Sequence, residues 1–208
     1  MSIYKTEQEE FWANGFGDEY IKRNQGDWLV ASNMALFSSI LKSTRGIKNI
    51  IEFGANIGMN IKALEVLLPT SDIDAVEINK KASGELKQFK HIRKVFNQSI
   101  LDFNANDGYD FVFTKGVLIH IEPNSLDLVY EKLYQASKKY ICMIEYYNPT
   151  PVELSYRGNS GKMYKRDFAG EIMQKYSDLE LVDYGFVYKN DPIFLQGDLT
   201  WFLMEKRD

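Results

Sequence analysis

The residues best able to do chemistry in this chain sit where apolar runs end. The first group is Gly54, Ala55, Asn56 and Gly58, where the run Ile50, Ile51, Phe53 stops and a helical pattern begins. A strand that ends on glycines and restarts as a helix presents free backbone N–H groups to a ligand. The spacing is Gly-x-x-x-Gly, not the Gly-x-Gly-x-x-Gly of dinucleotide-binding turns. Glu77 closes the next run, Asp74-Ala75-Val76-Glu77-Ile78. An acid at the end of the second strand is placed to accept hydrogen bonds from ribose hydroxyls. Either feature alone has an ordinary reading, a tight turn or a helix start. Together they point to a nucleoside site.

Later run ends add polar groups. In Asn97-Gln98-Ser99-Ile100, Ser99 can bond a base edge and Ile100 can pack on its face, although a helix cap at Ser99 fits as well. Thr114-Lys115-Gly116 follows another apolar run and belongs at the mouth of the same site. His120 can take a proton near neutral pH. A histidine among Leu118, Ile119 and Ile121 is more often a structural residue. Glu145-Tyr146-Tyr147-Asn148 gathers a carboxylate, two phenols and an amide, either an acceptor or general-base cluster or a polar strand end. Arg157, Lys162, Lys165 and Arg166 crowd one Gly-containing segment, where they can pair with carboxylate or phosphate or simply face solvent.

These groups need a sheet to position them. Apolar runs predict strands at about 48–53, 72–77, 93–96, 109–114, 139–145, 180–188 and 199–205. Helical patterns at about 57–67, 79–89, 124–137 and 167–176 alternate with them. This alternation predicts an α/β, Rossmann-like, seven-stranded, mostly parallel sheet with helices on both faces and an antiparallel C-terminal hairpin. Ahead of it, a Thr6-x-x-Glu9 capping box starts a short helix, Gly15 and Gly17 break it, and helical spacing resumes from Asp27. Residues 148–166 are expected to be irregular. The 208 residues suit one domain, with 1–45 as a helical N-terminal lid segment and 46–208 as the Rossmann-like core.

Composition narrows the partners. A net charge of −4 argues against non-specific nucleic-acid binding, which needs a basic surface. The single Cys142 excludes an internal disulfide and a multi-thiolate metal site, and its apolar neighbours make it an inert buried thiol. Val30–Leu41, the longest apolar segment, is too short to span a bilayer. With no signal-peptide pattern, cytoplasm is the expected location, no metal or membrane is expected, and the partner is a small molecule.

The motif Glu52-Phe53-Gly54-Ala55-Asn56-x-Gly58, the Glu77 strand end and Thr114-Lys115-Gly116-Val117-Leu118-Ile119-His120-Ile121 resemble the class I S-adenosylmethionine-dependent methyltransferases. More narrowly, the chain is similar to the pseudaminic acid biosynthesis-associated methylases. The similarity runs through Phe11-Trp12, Phe16-Gly17-Asp18-Glu19-Tyr20, Arg23-Asn24, Glu145-Tyr146-Tyr147-Asn148-Pro149, Tyr156-Arg157-Gly158, Lys165-Arg166-Asp167-Phe168-Ala169-Gly170 and Asp183-Tyr184-Gly185-Phe186. The resemblance implies S-adenosyl-L-methionine as cofactor. Gly54, Ala55, Asn56 and Gly58 would surround its methionine and ribose, Glu77 take the ribose hydroxyls, and Ile78 and Ile100 flank the adenine. Ser99 would meet the adenine edge, Thr114 and Lys115 line the methionyl end, and Tyr20 and Arg23 close over it. Asn56 stands where many members have glycine, and Ser99 where Asp is common. The implied reaction is methyl transfer to O or N of a small anionic sugar-related acceptor, a nonulosonic acid or other surface-glycan precursor. Tyr146, Arg157, Lys162 and Arg166 would bind the acceptor, with His120 or Glu145 as base. An NAD-dependent Rossmann oxidoreductase and a non-catalytic cofactor-binding partner in glycan assembly are the rival readings.

Overall fold

Five parallel strands form the centre of this protein, and those buried on both faces read as nearly continuous apolar runs. The computed structural model describes residues 4–105 and 108–207. Strands β1 (Asn49–Phe53), β2 (Asp72–Val76), β3 (Ile92–Phe96), β4 (Tyr109–Lys115) and β5 (Ser137–Glu145) pair in parallel. The hairpin β6 (Val152–Tyr156) and β7 (Asn159–Lys165) stands apart as a two-stranded sheet. β8 (Leu179–Val187) and β9 (Leu199–Lys206) complete the main sheet as an antiparallel pair, in the order β3-β2-β1-β4-β5-β9-β8.

Side chains alternate across this sheet and divide the core in two. Ile50, Phe111, Phe113, Cys142 and Ile144 pack with Leu36, Phe37 and Ile40 of α3 (Asp27–Leu41) and with Ile61 and Leu64 of α4 (Met59–Leu67). Ile51, Phe53, Val112, Ile141 and Met143 pack on the other face with α6 (Leu126–Ala136) and α7 (Phe168–Lys175). Each such fully buried large side chain contributes about 1.5–3 kcal/mol. α5 (Lys80–Leu86) follows β2, capped by Asn79, whose side chain accepts from the Lys81 and Ala82 N–H groups. Cys142 is buried in β5, where burial raises its thiol pKa.

Two expectations change. Residues 148–166 are not irregular, because they carry β6 and β7 joined at Arg157-Gly158. Both turn residues have positive φ, 50° and 83°, the backbone twist that suits a two-residue hairpin. The first short helix, α1 (Glu7–Ala13), does end just before Gly15, but helix resumes at once as α2 (Gly15–Arg23), which contains both glycines. Among the described residues no helix is long and apolar enough to cross a membrane, and no cluster of His, Cys, Asp or Glu is arranged to hold a metal.

Candidate functional site

The sheet order reverses between β1 and β4, and in open α/β sheets ligands bind beyond the strand carboxyl ends at that reversal. A cavity of about 530 Å³ lies there. Its floor is Gly54, Ala55 and Asn56 after β1, Glu77 and Ile78 after β2, Ser99 and Ile100 after β3, and Lys115 and Gly116 at the end of β4. Gly54 and Gly58 have φ of 77° and 79°, and Asn56 reaches 47°. Asparagine tolerates this left-handed backbone, so the turn keeps its shape at the position where glycine is usual in the family it resembles. Gly58 is the N-cap of α4 and does not line the cavity.

Glu77 ties the first two strand ends together. Its carboxylate accepts the Asn56 N–H at 2.7 Å and the Asn79 N–H at 2.6 Å, and burial raises its pKa. Asn79 in turn donates to Asp18 of α2 at 3.0 Å. Ser99 donates its hydroxyl proton to Glu9 of α1 and accepts the Leu101 N–H at 3.0 Å. The two N-terminal helices are thus bonded to the strand ends they cover. Gln8, Glu9, Trp12 and Tyr20 form the cavity roof, and desolvation shifts the half-buried phenol of Tyr20 upward in pKa.

At the β4 end the polar groups are buried more deeply. Lys115 Nζ donates to Asn33 Oδ1 of α3 at 2.9 Å, and Gln196 Nε2 donates to the same oxygen at 2.9 Å. Asn60 Nδ2 donates to Glu52 Oε1 at 2.6 Å. Burial pushes the Glu52 carboxyl up to about 8 and brings the Lys115 ammonium down to about 8, each charge partly offsetting the other. Asn33 Nδ2, Asn60 Oδ1 and Glu52 Oε2 are buried without a hydrogen-bond partner among the described residues. Thr114 is fully buried beneath this group and does not line the cavity.

His120 lines the cavity between two rings, 4.6 Å from Trp12 and 4.7 Å from Tyr156 by centroid. Its Nδ1 lies 2.6 Å from the Lys162 carbonyl oxygen, which only accepts, so Nδ1 carries the proton and Nε2 the lone pair. Burial lowers its pKa to about 4, leaving the ring neutral. Glu145 does not line the cavity. Its carboxylate accepts the Val117 and Leu118 N–H groups at 3.1 Å each, clamping the turn after β4, and burial raises its pKa to about 7.

No family model and no curated protein matches the sequence. Solved structures do. A SAM-dependent methyltransferase from Leishmania major aligns with a TM-score of 0.72 at 16% identity, over 96% of this chain and 87% of that one. Magnesium protoporphyrin IX methyltransferase from Synechocystis PCC 6803, with bound SAM, aligns with 0.67 at 11% over 100% of both chains. The 1,6-didemethyltoxoflavin-N1-methyltransferase of Burkholderia thailandensis, with its substrate and S-adenosylhomocysteine, gives 0.69 at 10% over 97% and 87%. The chain has the class I methyltransferase fold.

Within this methyltransferase fold Arg23 and the expected cations of residues 157–166 do not line the cavity. Arg23 lies 5.4 Å over the Phe16 ring. Lys162 pairs with Glu7 at 3.2 Å, Arg166 pairs with Glu171 at 2.7 Å, and Lys165 sits 4.8 Å over Tyr146. Arg157 is exposed at the hairpin tip, 6.0 Å from the Tyr156 ring. Alternation along β7 turns neighbouring cations to different faces, which sequence proximity does not reveal. Of the residues expected to bind the acceptor, Tyr146 lines the cavity. Sequence reasoning missed Asn33, Asn60, Gln196, Glu9 and Trp12 as wall residues. The one available signal was Asn33 itself, an amide inside the apolar α3 that is fully buried.

Proposed function

We propose that this chain is an S-adenosylmethionine-dependent methyltransferase acting on a small molecule. The observation that carries this reading is the glycine turn after β1 lying against the buried Glu77 inside one cavity at the β1/β4 reversal. The donor set fits the cofactor. Glu77, Ile78, Ser99 and Ile100 provide an acid, two apolar surfaces and a hydroxyl along one wall for an adenosine, and Gly54, Ala55 and Asn56 supply the turn beside it. At the other end, Lys115 and Asn33 bring donors to the cavity and Asn60 an acceptor without a partner among the described residues, a set that suits an amino-acid zwitterion. A volume of about 530 Å³ is in the usual range for a ligand of this size.

When bound, the cofactor supplies a methyl group on a sulfonium that leaves without protein assistance. The chain's own work is to align the acceptor and exclude water. α1 and α2 roof the cavity, and Trp12, Tyr20, Tyr146 and Tyr156 give flat walls for the acceptor to pack against. His120 offers Nε2 as the lone-pair nitrogen of the wall, while Glu145 holds the turn that carries His120. The sequence resemblance makes a nonulosonic acid or another surface-glycan precursor the first acceptor to try.

Calorimetry with S-adenosylhomocysteine and NADH tests the reading. The expected result is binding of S-adenosylhomocysteine alone, weakened at least tenfold by Glu77→Ala in a variant that still melts cooperatively. Absence of heat with S-adenosylhomocysteine, or an unchanged affinity in Glu77→Ala, overturns it. Transfer of label from methyl-labelled cofactor to nonulosonic acids and nucleotide-linked sugars then tests the acceptor.

A further inference from the structure

We propose that the methyl acceptor is an uncharged molecule with an apolar body, which leaves the cavity over a lip formed by Trp28 and residues 193–195. Large apolar side chains crowd this lip: Trp28 is 57% exposed, Ile193 73%, Phe194 44% and Leu195 46%. Apolar groups held together in water mark a binding surface. Trp28 and Leu195 also line the cavity, so the exposed patch continues its inner wall. The connection that carries residues 193–195 is a built turn. Asp191 accepts the Ile193 N–H at 2.9 Å and the Phe194 N–H at 2.6 Å, and Lys189 pairs with Asp198 at 3.6 Å across the base. Gln196 donates to Asn33 at 2.9 Å, which fixes the turn against α3, the helix whose first turn holds Trp28.

Charge and ring chemistry inside the cavity select the same class of molecule. Among the described residues that line it, Lys115 is the one cationic side chain. It is engaged by Asn33, and Glu52 and Glu145 offset its charge. An anionic acceptor would therefore leave water without a partner, a cost that an uncharged one avoids. Rings run unbroken from Tyr20 to Trp12 at 5.2 Å, on to His120 at 4.6 Å and to Tyr156 at 4.7 Å. Tyr146 brings another ring to the lip: a Cβ on Gly197 would meet its hydroxyl at 2.6 Å, so the phenol lies against the same connection. Flat rings of this kind bury a large apolar area. Because the lip is the outer rim of this wall, the occupant it fits is the body of the acceptor. The inference rests on the methyltransferase reading and, among the acceptors the resemblance offers, disfavours a free sugar acid.

Calorimetry on the full chain saturated with S-adenosylhomocysteine tests this, with 4-ethylphenol, 4-pentylphenol and N-acetylneuraminic acid as probes. Each methylene buried on the lip is worth about fourfold in affinity, so 4-pentylphenol should bind at least tenfold tighter than 4-ethylphenol. N-acetylneuraminic acid should bind more weakly than either. Trp28→Ala and the double variant Ile193→Ser, Phe194→Ser should each narrow the gap between the phenols at least threefold. S-adenosylhomocysteine should bind the double variant as it binds wild type, and cooperative melts show that the variants fold. Phenols that fail to bind or bind equally, tighter binding of N-acetylneuraminic acid, or a gap that the variants leave intact overturns the proposal. Self-association, or sedimentation with phosphatidylcholine vesicles, that the double variant abolishes while the phenols show no gap also overturns it, and assigns the lip to a second copy or a lipid surface. Wild-type protein that binds no S-adenosylhomocysteine overturns the methyltransferase reading instead, and the phenol gap is then read on the protein alone.

Discussion

His120 shows how burial decides what a titratable residue does. An exposed histidine titrates near 6.5, whereas this ring, wedged between Trp12 and Tyr156, is held down to about 4. The unfolded chain therefore binds a proton below 6.5 that the folded chain refuses until about 4. Stability attached to this residue is present above 6.5 and is lost as pH falls toward 4, by a total of about 3 kcal/mol. The gap in unfolding free energy between wild type and His120→Phe should shrink by that amount between pH 7.5 and 4, measured by urea titration at each pH. Parallel curves for the two proteins would refute the assignment. The histidine was visible in the sequence, but its tautomer depends on the Lys162 carbonyl, 42 positions away in the chain. Glu77 was legible because strand-end position alone brings it to the turn.

Elements explain what single residues do not. Gly17 is read from sequence as a helix breaker, yet it lies inside α2. A Cβ there would meet the Trp12 carbonyl oxygen at 2.0 Å and Asn79 Nδ2 at 2.9 Å, so the missing side chain lets α1 and α2 close over the β2 end. Gly15 has open space around it. Gly17→Ala should destabilise the fold by about 1–3 kcal/mol and weaken S-adenosylhomocysteine binding, because the roof must shift. Gly15→Ala should leave both nearly unchanged. Thermal melts and calorimetry on the pair decide it, and equal behaviour of the two variants would show that close approach is not what Gly17 provides. The capping box was readable because Thr6 and Glu9 are local, and both of its bonds form. The β6–β7 hairpin was not, since its turn is Arg-Gly in place of the favoured Asn-Gly and much of β6 is exposed.

Over the whole molecule, the parallel sheet was legible because β1, β4 and β5 carry apolar runs and strand patterns alternate with helical ones, and right-handed crossovers leave few orders open. The cavity was only half legible. Its floor follows from strand ends, but its roof and side come from Trp12, Tyr20, Asn33 and Gln196, brought in from the two ends of the chain by tertiary packing. A ligand filling this cavity would add to the Ser99–Glu9, Asn79–Asp18 and Gln196–Asn33 bonds that already link these segments. Ligand at a hundred times its dissociation constant raises unfolding free energy by about 2.7 kcal/mol, provided the unfolded chain does not bind it. Local opening of the bridged segments should be suppressed along with global unfolding. Hydrogen exchange with S-adenosylhomocysteine should therefore slow in α1, α2 and residues 188–198 as well as at Gly54–Gly58 and the β2 end. Protection confined to the glycine turn and Glu77 would mean that the N-terminal helices and the β8–β9 connection merely stand beside the ligand and do not hold it.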